Sequence, residues 1–363
     1  MKLNICLFTL ASVLGSHLVL AQSKPYPNHV FEYNPAPGQF IHELPAYSPG
    51  DNSDTMNQKC LDNLYDGRLI SLGGYGGYIT VGFDHPILNI KGSKDLLICG
   101  NASRFGTSAE PGIVLVMADE NSNGLPDDTW YELAGSEYSN TSTIHNYEIT
   151  YYRPDKEDQD VSWTDNQGNT GVIQYMGKYN HKHPHYPQWI ESNTLTLKGS
   201  RLPNNGTWDD ESGMWVMKPW NYGYVDNLYG DEGCSFDIDW AIDNNGNPIN
   251  LEQIDFIRIY TAVNQQIEAG VGELSTEIAD IQDLHPNATR ISEYKIEQDK
   301  IYYLDSNLYV NSRLPVLIQI RDIQGNIQYQ VCHPGKSASY HLTLSSGIYL
   351  VQVGNTMSKI IVK

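Results

Sequence analysis

Residues 119–130, DENSNGLPDDTW, hold the densest run of oxygen donors in the chain. Asp119, Asn121, Asn123 and Asp127 fall at positions 1, 3, 5 and 9 of a calcium loop, and Gly124 stands at position 6. Oxygens at alternate positions let one short loop wrap a hard cation, and the residue at position 7, Leu125, can add its backbone carbonyl. The pattern departs from an EF-hand: position 12 is Trp130, not Glu, and strand-like segments flank the loop (Ile113–Met117 and Trp130–Leu133). The spacing therefore predicts a calcium site closing a β-hairpin. The alternative is a polar turn rich in Asn, Asp and Gly with no ion.

Other groups are weaker. His181, His183 and His185 alternate as metal ligands on a strand would, but Pro184 and Pro187 break that geometry and predict an exposed loop. Residues 204–229 concentrate Trp208, Trp215, Trp220, Tyr222, Tyr224 and Tyr229. Flat rings stack on sugars, so Trp208, Trp215, Trp220 and Tyr224 are candidates for a ligand surface. An aromatic core under a long loop fits the same residues equally well. Asp237 and Asp239 alternate along FDIDWAI, as if on a strand. Carboxylates are plentiful, yet none stands out as the facing pair a glycosidase needs, and no catalytic residue is assigned. Gly73–Gly77 precedes a strand and lacks the Lys and helix of a phosphate loop, so it predicts close backbone approach.

The elements that must position these groups read as nearly all β. Short apolar runs at Leu69–Leu72, Tyr78–Phe83, Asp95–Cys99, Ile113–Met117, Tyr147–Tyr152, Thr194–Leu197 and Ile254–Thr261 are punctuated by Gly, Asn, Asp and Pro. One short helix is expected over Asn57–Asp66. The pattern changes near 282–296, and seven further strand-like runs follow between Lys300 and Val362. The expected organisation is a signal peptide at 1–21, a β-sandwich of jelly-roll type at 22–283, and a small β-sandwich at 290–363.

Lys2 followed by the apolar stretch Ile5–Leu20 and a Val19-Leu20-Ala21 cleavage site reads as an export signal. No Cys follows Ala21, which argues against a lipid anchor there. No later stretch reaches membrane-spanning length. The formal charge of −20 disfavours nucleic acid and anionic membrane surfaces as partners. Cys60, Cys99, Cys234 and Cys332 lack zinc or redox spacing. Cys99 lies in an apolar run where a buried free thiol is the ordinary outcome, and the spacing assigns no disulfide.

The strings YNPAPGQFIHELP (33–45), SLGGYGGYITVGFDHPI (71–87), EPGIVLVMADENSNGLPDDTWYELAGSE (110–137), ITYYRPD (149–155), WTDNQGN (163–169) and IDFIRIYTAVN (254–264) resemble a family of Bacteroidetes cell-surface proteins. The resemblance implies a galactose-binding-like jelly roll and a capture role beside outer-membrane transport systems, including those for cobalamin. The segment SSGIYLVQVGNTMSKIIVK, with Gly347, Tyr349, Val351 and Val353 before the strand Lys359–Lys363, resembles the sorting domain of the type IX secretion system. That implies passage across the outer membrane. The expected function is calcium-stabilised, non-catalytic capture of a glycan or a nutrient such as a corrinoid at the cell surface. A surface glycoside hydrolase and a structural or adhesive protein are the alternatives.

Overall fold

The computed structural model describes residues 23–286, 288 and 300–362, apart from 269, 305, 312–314, 354 and 355. The expected signal peptide lies outside the described residues. The chain divides into two compact units between Ala288 and Thr289. It is all-β: the secondary structure of both units is dominated by antiparallel sheets arranged as sandwiches, with one α-helix of 14 residues among the described residues. No described helix is long and apolar enough to cross a membrane.

The first unit is organised by a six-stranded sheet in the order His29–Asn34, Tyr78–Leu88, Gln253–Thr261, Gly112–Met117, Tyr131–Leu133, Ala241–Ile242. Its strand Gly112–Met117 reads as a continuous apolar run because both faces are covered. Val114, Val116, Ile257, Ile259, Ile79 and Val81 point to one side, against Met56, Cys60, Leu61 and Leu64 of the helix and Leu96, Ile98, Phe236 and Ile281 of a three-stranded sheet. Ile113 and Tyr260 point to the other, against Tyr147, Ile149, Tyr151, Leu195 and Leu197 of a four-stranded sheet. That sheet runs Thr194–Arg201, Ile144–Tyr152, Val161–Asp165, Thr170–Ile173.

The helix spans Ser53–Asp66 and so starts before the expected Asn57. Asn52 caps it, its side chain accepting the Thr55 N–H at 3.0 Å. The glycine run does bring backbones together: a Cβ on Gly77 would lie 1.9 Å from the Leu72 carbonyl oxygen. Asp237 and Asp239 do not alternate on a strand. Phe236 ends the strand and Ile238–Trp240 form a 3₁₀ turn capped by Asp237. The buried Asp95 carboxylate takes the Ile238 N–H at 3.0 Å and holds that turn. Cys99 is not a free thiol: it is bonded to Cys234, with Cα atoms 5.0 Å apart.

The second unit pairs a three-stranded sheet (Lys300–Leu304, Asn307–Asn311, Ser337–His341) with a four-stranded one (Ile327–Pro334, Pro315–Asp322, Gly347–Val353, Thr356–Val362). Alternation sets its core: Tyr349, Val351 and Val353 point inward with Ile318, Ile320, Leu308 and Val310, while Ile348 and Leu350 face out. Ile361, paired with Ile348, is also exposed.

Candidate cation and ligand sites

The loop 119–130 connects two paired strands, Gly112–Met117 and Tyr131–Leu133. Its side chains are hydrogen-bonded to one another and to the loop backbone. The Asp119 carboxylate accepts the N–H of Asn123 at 3.1 Å and of Gly124 at 2.8 Å. The Asn121 side-chain oxygen accepts the same Asn123 N–H at 2.9 Å, and the Asn123 oxygen accepts the Leu125 N–H at 2.7 Å. The amide groups of Asn121 and Asn123 donate to the Asp127 carboxylate at 3.1 and 3.0 Å. The Leu125 carbonyl accepts the Asp127 N–H at 2.9 Å. All five expected ligand residues therefore share one hairpin tip. Asp128, not among them, accepts the Glu120 N–H at 3.0 Å. The root is fixed by Asp255 on the neighbouring strand, which accepts the Asp119 N–H at 2.8 Å.

Immediately after this loop lies a cavity of about 160 Å³. Trp130, the loop's last residue, forms one wall; Tyr138, His145 and Asn244 form others, and Glu132 and Ser200 are among the residues lining it. Ser200 Oγ donates to Glu132 Oε2 at 2.7 Å, and Nδ1 of His145 lies 3.3 Å from the same hydroxyl. Burial pushes the Glu132 carboxyl up to about 7, with the Ser200 hydroxyl pulling the other way. The Tyr260 hydroxyl, 2.9 Å from the Ser200 N–H, fixes the serine backbone. The Arg258 guanidinium lies over the Trp130 ring, 4.6 Å from its centroid, and holds that ring in place. The order is His–Ser–Glu, with the serine proton directed to the carboxylate. A hydrolytic triad instead places the histidine between the other two. The arrangement is suited to holding a polar ligand against aromatic walls.

The four aromatic candidates scatter. Trp208 and Trp215 face each other across the hairpin Gly206–Asp209 and Met214–Met217, rings edge to face with centroids 6.0 Å apart. Trp208 is half exposed. Trp220 packs against the core beneath the four-stranded sheet. Tyr224 is corrected: it is 1 % exposed in that core, and its hydroxyl accepts the Glu137 N–H at 2.9 Å, so its ring is closed to a ligand. The histidines also separate. His183 is exposed, whereas His185 is buried and its Nε2 accepts the Met176 N–H at 3.0 Å. Burial lowers His185 to about 4.

A third constellation was not visible in the sequence. Glu110, Asp226 and Glu277 come from three distant segments, and one carboxylate oxygen from each lies within 4.8 Å of the others. Asp226 and Glu277 are 2 % and 3 % exposed. Asp226 adopts a left-handed φ of 53°, and its oxygens accept the N–H groups of Asn101 (2.8 Å) and Glu277 (3.0 Å). Burial raises all three carboxyls, and the Glu277 charge raises the other two further. Nearby, Glu273 is pushed up to about 8 by burial, although one of its oxygens accepts the Gln39 N–H at 2.6 Å.

Searches against family models and among curated proteins return no match to this chain.

Proposed function

We propose that this is an exported surface protein whose larger unit captures a glycan without chemistry, with calcium in the loop 119–127 fixing one wall of the ligand cavity. The observation that supports this reading is the position of Trp130. It ends the oxygen-rich loop and lines the cavity that also holds Glu132, Tyr138 and His145. Asp119, Asn121, Asn123, Asp127 and the Leu125 carbonyl would hold the ion, and ordering of the loop would set the angle of the Trp130 ring. An aromatic face beside a carboxylate and amide groups is the chemistry that receives a sugar ring. The cavity is smaller than the ~300–1,000 Å³ of sites that enclose whole ligands, so it would take one ring of a longer glycan. A corrinoid would have to rest outside it.

Export is supported by the Cys99–Cys234 bond, which suits an oxidising compartment. The second unit would serve as the sorting domain, with the exposed Ile348, Leu350 and Ile361 offering an apolar face to secretion or transport machinery.

The test is titration of residues 22–363 with a glycan panel and with cobalamin, read by tryptophan fluorescence, with and without chelator. Expected is saturable quenching by one glycan class that weakens at least tenfold in chelator, in Asp119→Ala and in Trp130→Ala. Chelator is also expected to lower the melting temperature of the wild type but not of Asp119→Ala, since an ion bound only to the folded state stabilises it. Cleavage of any glycan would overturn the non-catalytic reading. A melting curve indifferent to chelator would overturn the calcium assignment.

A further inference from the structure

We propose that Glu110, Asp226 and Glu277 form a second, buried site for a hard divalent cation, separate from the loop 119–127. Calcium bound by carboxylates keeps its oxygens about 2.3–2.6 Å away, so ligands on opposite sides of one ion stand up to about 5 Å apart. Three carboxylate oxygens mutually within 4.8 Å match that spread.

The independent sign is Glu277. Its Oε1 is sealed from solvent and accepts no well-aligned hydrogen bond, on a residue only 3 % exposed, although the side chains of Ser71, Ser275 and Asn101 stand close enough to pull its carboxyl down against burial. A buried acceptor left without a donor is costly, and a cation among the three carboxylates removes that cost. The frame is built before any ion arrives. Asp226 O accepts the Glu110 N–H at 2.8 Å, and Thr276 Oγ1 donates to the Glu110 carbonyl at 2.8 Å. The Glu277 N–H is already spent on Asp226 Oδ2 at 3.0 Å. Glu110 is less deeply buried as a residue than Asp226 and Glu277, though its carboxyl is desolvated too. The competing arrangement keeps protons on the acids and lets them hydrogen-bond one another, with no ion.

Calorimetric titration of Ca²⁺ into residues 22–363 carrying Asp119→Ala and Asp127→Ala separates the two sites. Expected is one Ca²⁺ per chain in this background, with a melting temperature that rises with Ca²⁺. Adding Glu277→Gln is expected to abolish both responses. Adding Asp226→Asn instead, which keeps the shape and tolerates the left-handed backbone, is expected to weaken binding at least tenfold. Circular dichroism establishes that each variant is folded. A folded Asp119→Ala/Asp127→Ala chain that takes up no Ca²⁺ at millimolar concentration overturns the proposal in favour of shared protons. So does a stoichiometry unchanged by both further substitutions.

Discussion

Removing the Cys99–Cys234 bond should cost the larger unit a large part of its stability. The bond joins positions 135 residues apart and fastens Leu96–Cys99 to the segment that leads into Ser235–Phe236. Closing a loop of that length in the unfolded chain corresponds to about 5 kcal/mol in the chain-entropy treatment, an upper figure, because a compact denatured chain is already partly restricted. In a domain of this size 1 kcal/mol moves the melting temperature by about 2–4 °C, so Cys99→Ala/Cys234→Ala should melt roughly 10–20 °C lower. Scanning calorimetry on residues 22–363 reads this, with the larger unit's transition followed separately from that of 289–363. Thiol counting supplies the chemical control. Cys332 is exposed and should react in the native protein, whereas Cys60 is buried and should react only on unfolding. The unreduced, denatured chain should therefore show two thiols, and the reduced chain four. Four thiols without reductant, or a melting temperature that reductant leaves unchanged, would refute the reasoning and withdraw the support for an oxidising compartment.

Two buried histidines should stay neutral in acid. Burial lowers His185 to about 4 and His42 to about 3, from an ordinary 6.5. The folded state disfavours their charged form, so their contribution is fully present above pH 6.5 and is lost as pH falls, about 3 kcal/mol for each by pH 4. Proton NMR should find two imidazoles untitrated at pH 5; a full set titrating near 6.5 would contradict this. Glu132 has the opposite sign. Its carboxyl is raised from 4.5 to about 7, so the stability it contributes is present below pH 4.5 and is lost as pH rises through 7. Glu132→Gln should therefore be more stable than the wild type at pH 8, by up to about 3 kcal/mol in urea unfolding, with the difference vanishing near pH 4. Equal stability at both pH values would show that the carboxyl is not desolvated.

What the sequence made legible divides by distance along the chain. The strands could be read because Gly112–Met117, covered on both faces, is apolar throughout, and the strands of the second unit alternate, as Gly347–Val353 does. The hairpin tip could be placed because the turn residues between the paired strands Gly112–Met117 and Tyr131–Leu133 are adjacent in the chain. The cavity could not, because Trp130, His145, Ser200 and Asn244 meet only through strand pairing. Nor could the carboxylate cluster, since nothing local links Glu110 to Asp226 or Glu277. Trp208 and Tyr224 show the same limit in burial: both are aromatic residues in one Gly- and Asp-rich stretch, yet one is half exposed on a hairpin and the other is locked in the core.

A turn that recurs three times shows why local closure is the dividing line. Asp165-Asn166-Gln167-Gly168-Asn169, Asp243-Asn244-Asn245-Gly246-Asn247 and Asp322-Ile323-Gln324-Gly325-Asn326 share the pattern D-x-x-G-N. In each, the first carboxylate accepts the N–H two residues on and the N–H four residues on, at 2.7–3.0 Å. Its second oxygen accepts the terminal Asn amide at 2.9–3.1 Å. The glycine takes φ of 78–88°, which residues with a Cβ avoid. These bonds hold all three carboxyls below the ordinary range despite the opposing effect of desolvation. The bonds that shape the turn lie inside five residues, so the same three fixed letters, Asp, Gly and Asn, give the same geometry in both units; Tyr147 and Gln328 add outside donors to Asp165 and Asp322. Asp226 also accepts two backbone N–H groups, but one belongs to Asn101 and the other to Glu277, 51 residues on. The same side-chain chemistry builds a turn when its donors are adjacent and a buried acidic cluster when the fold supplies them, and only the first can be written in a pentapeptide.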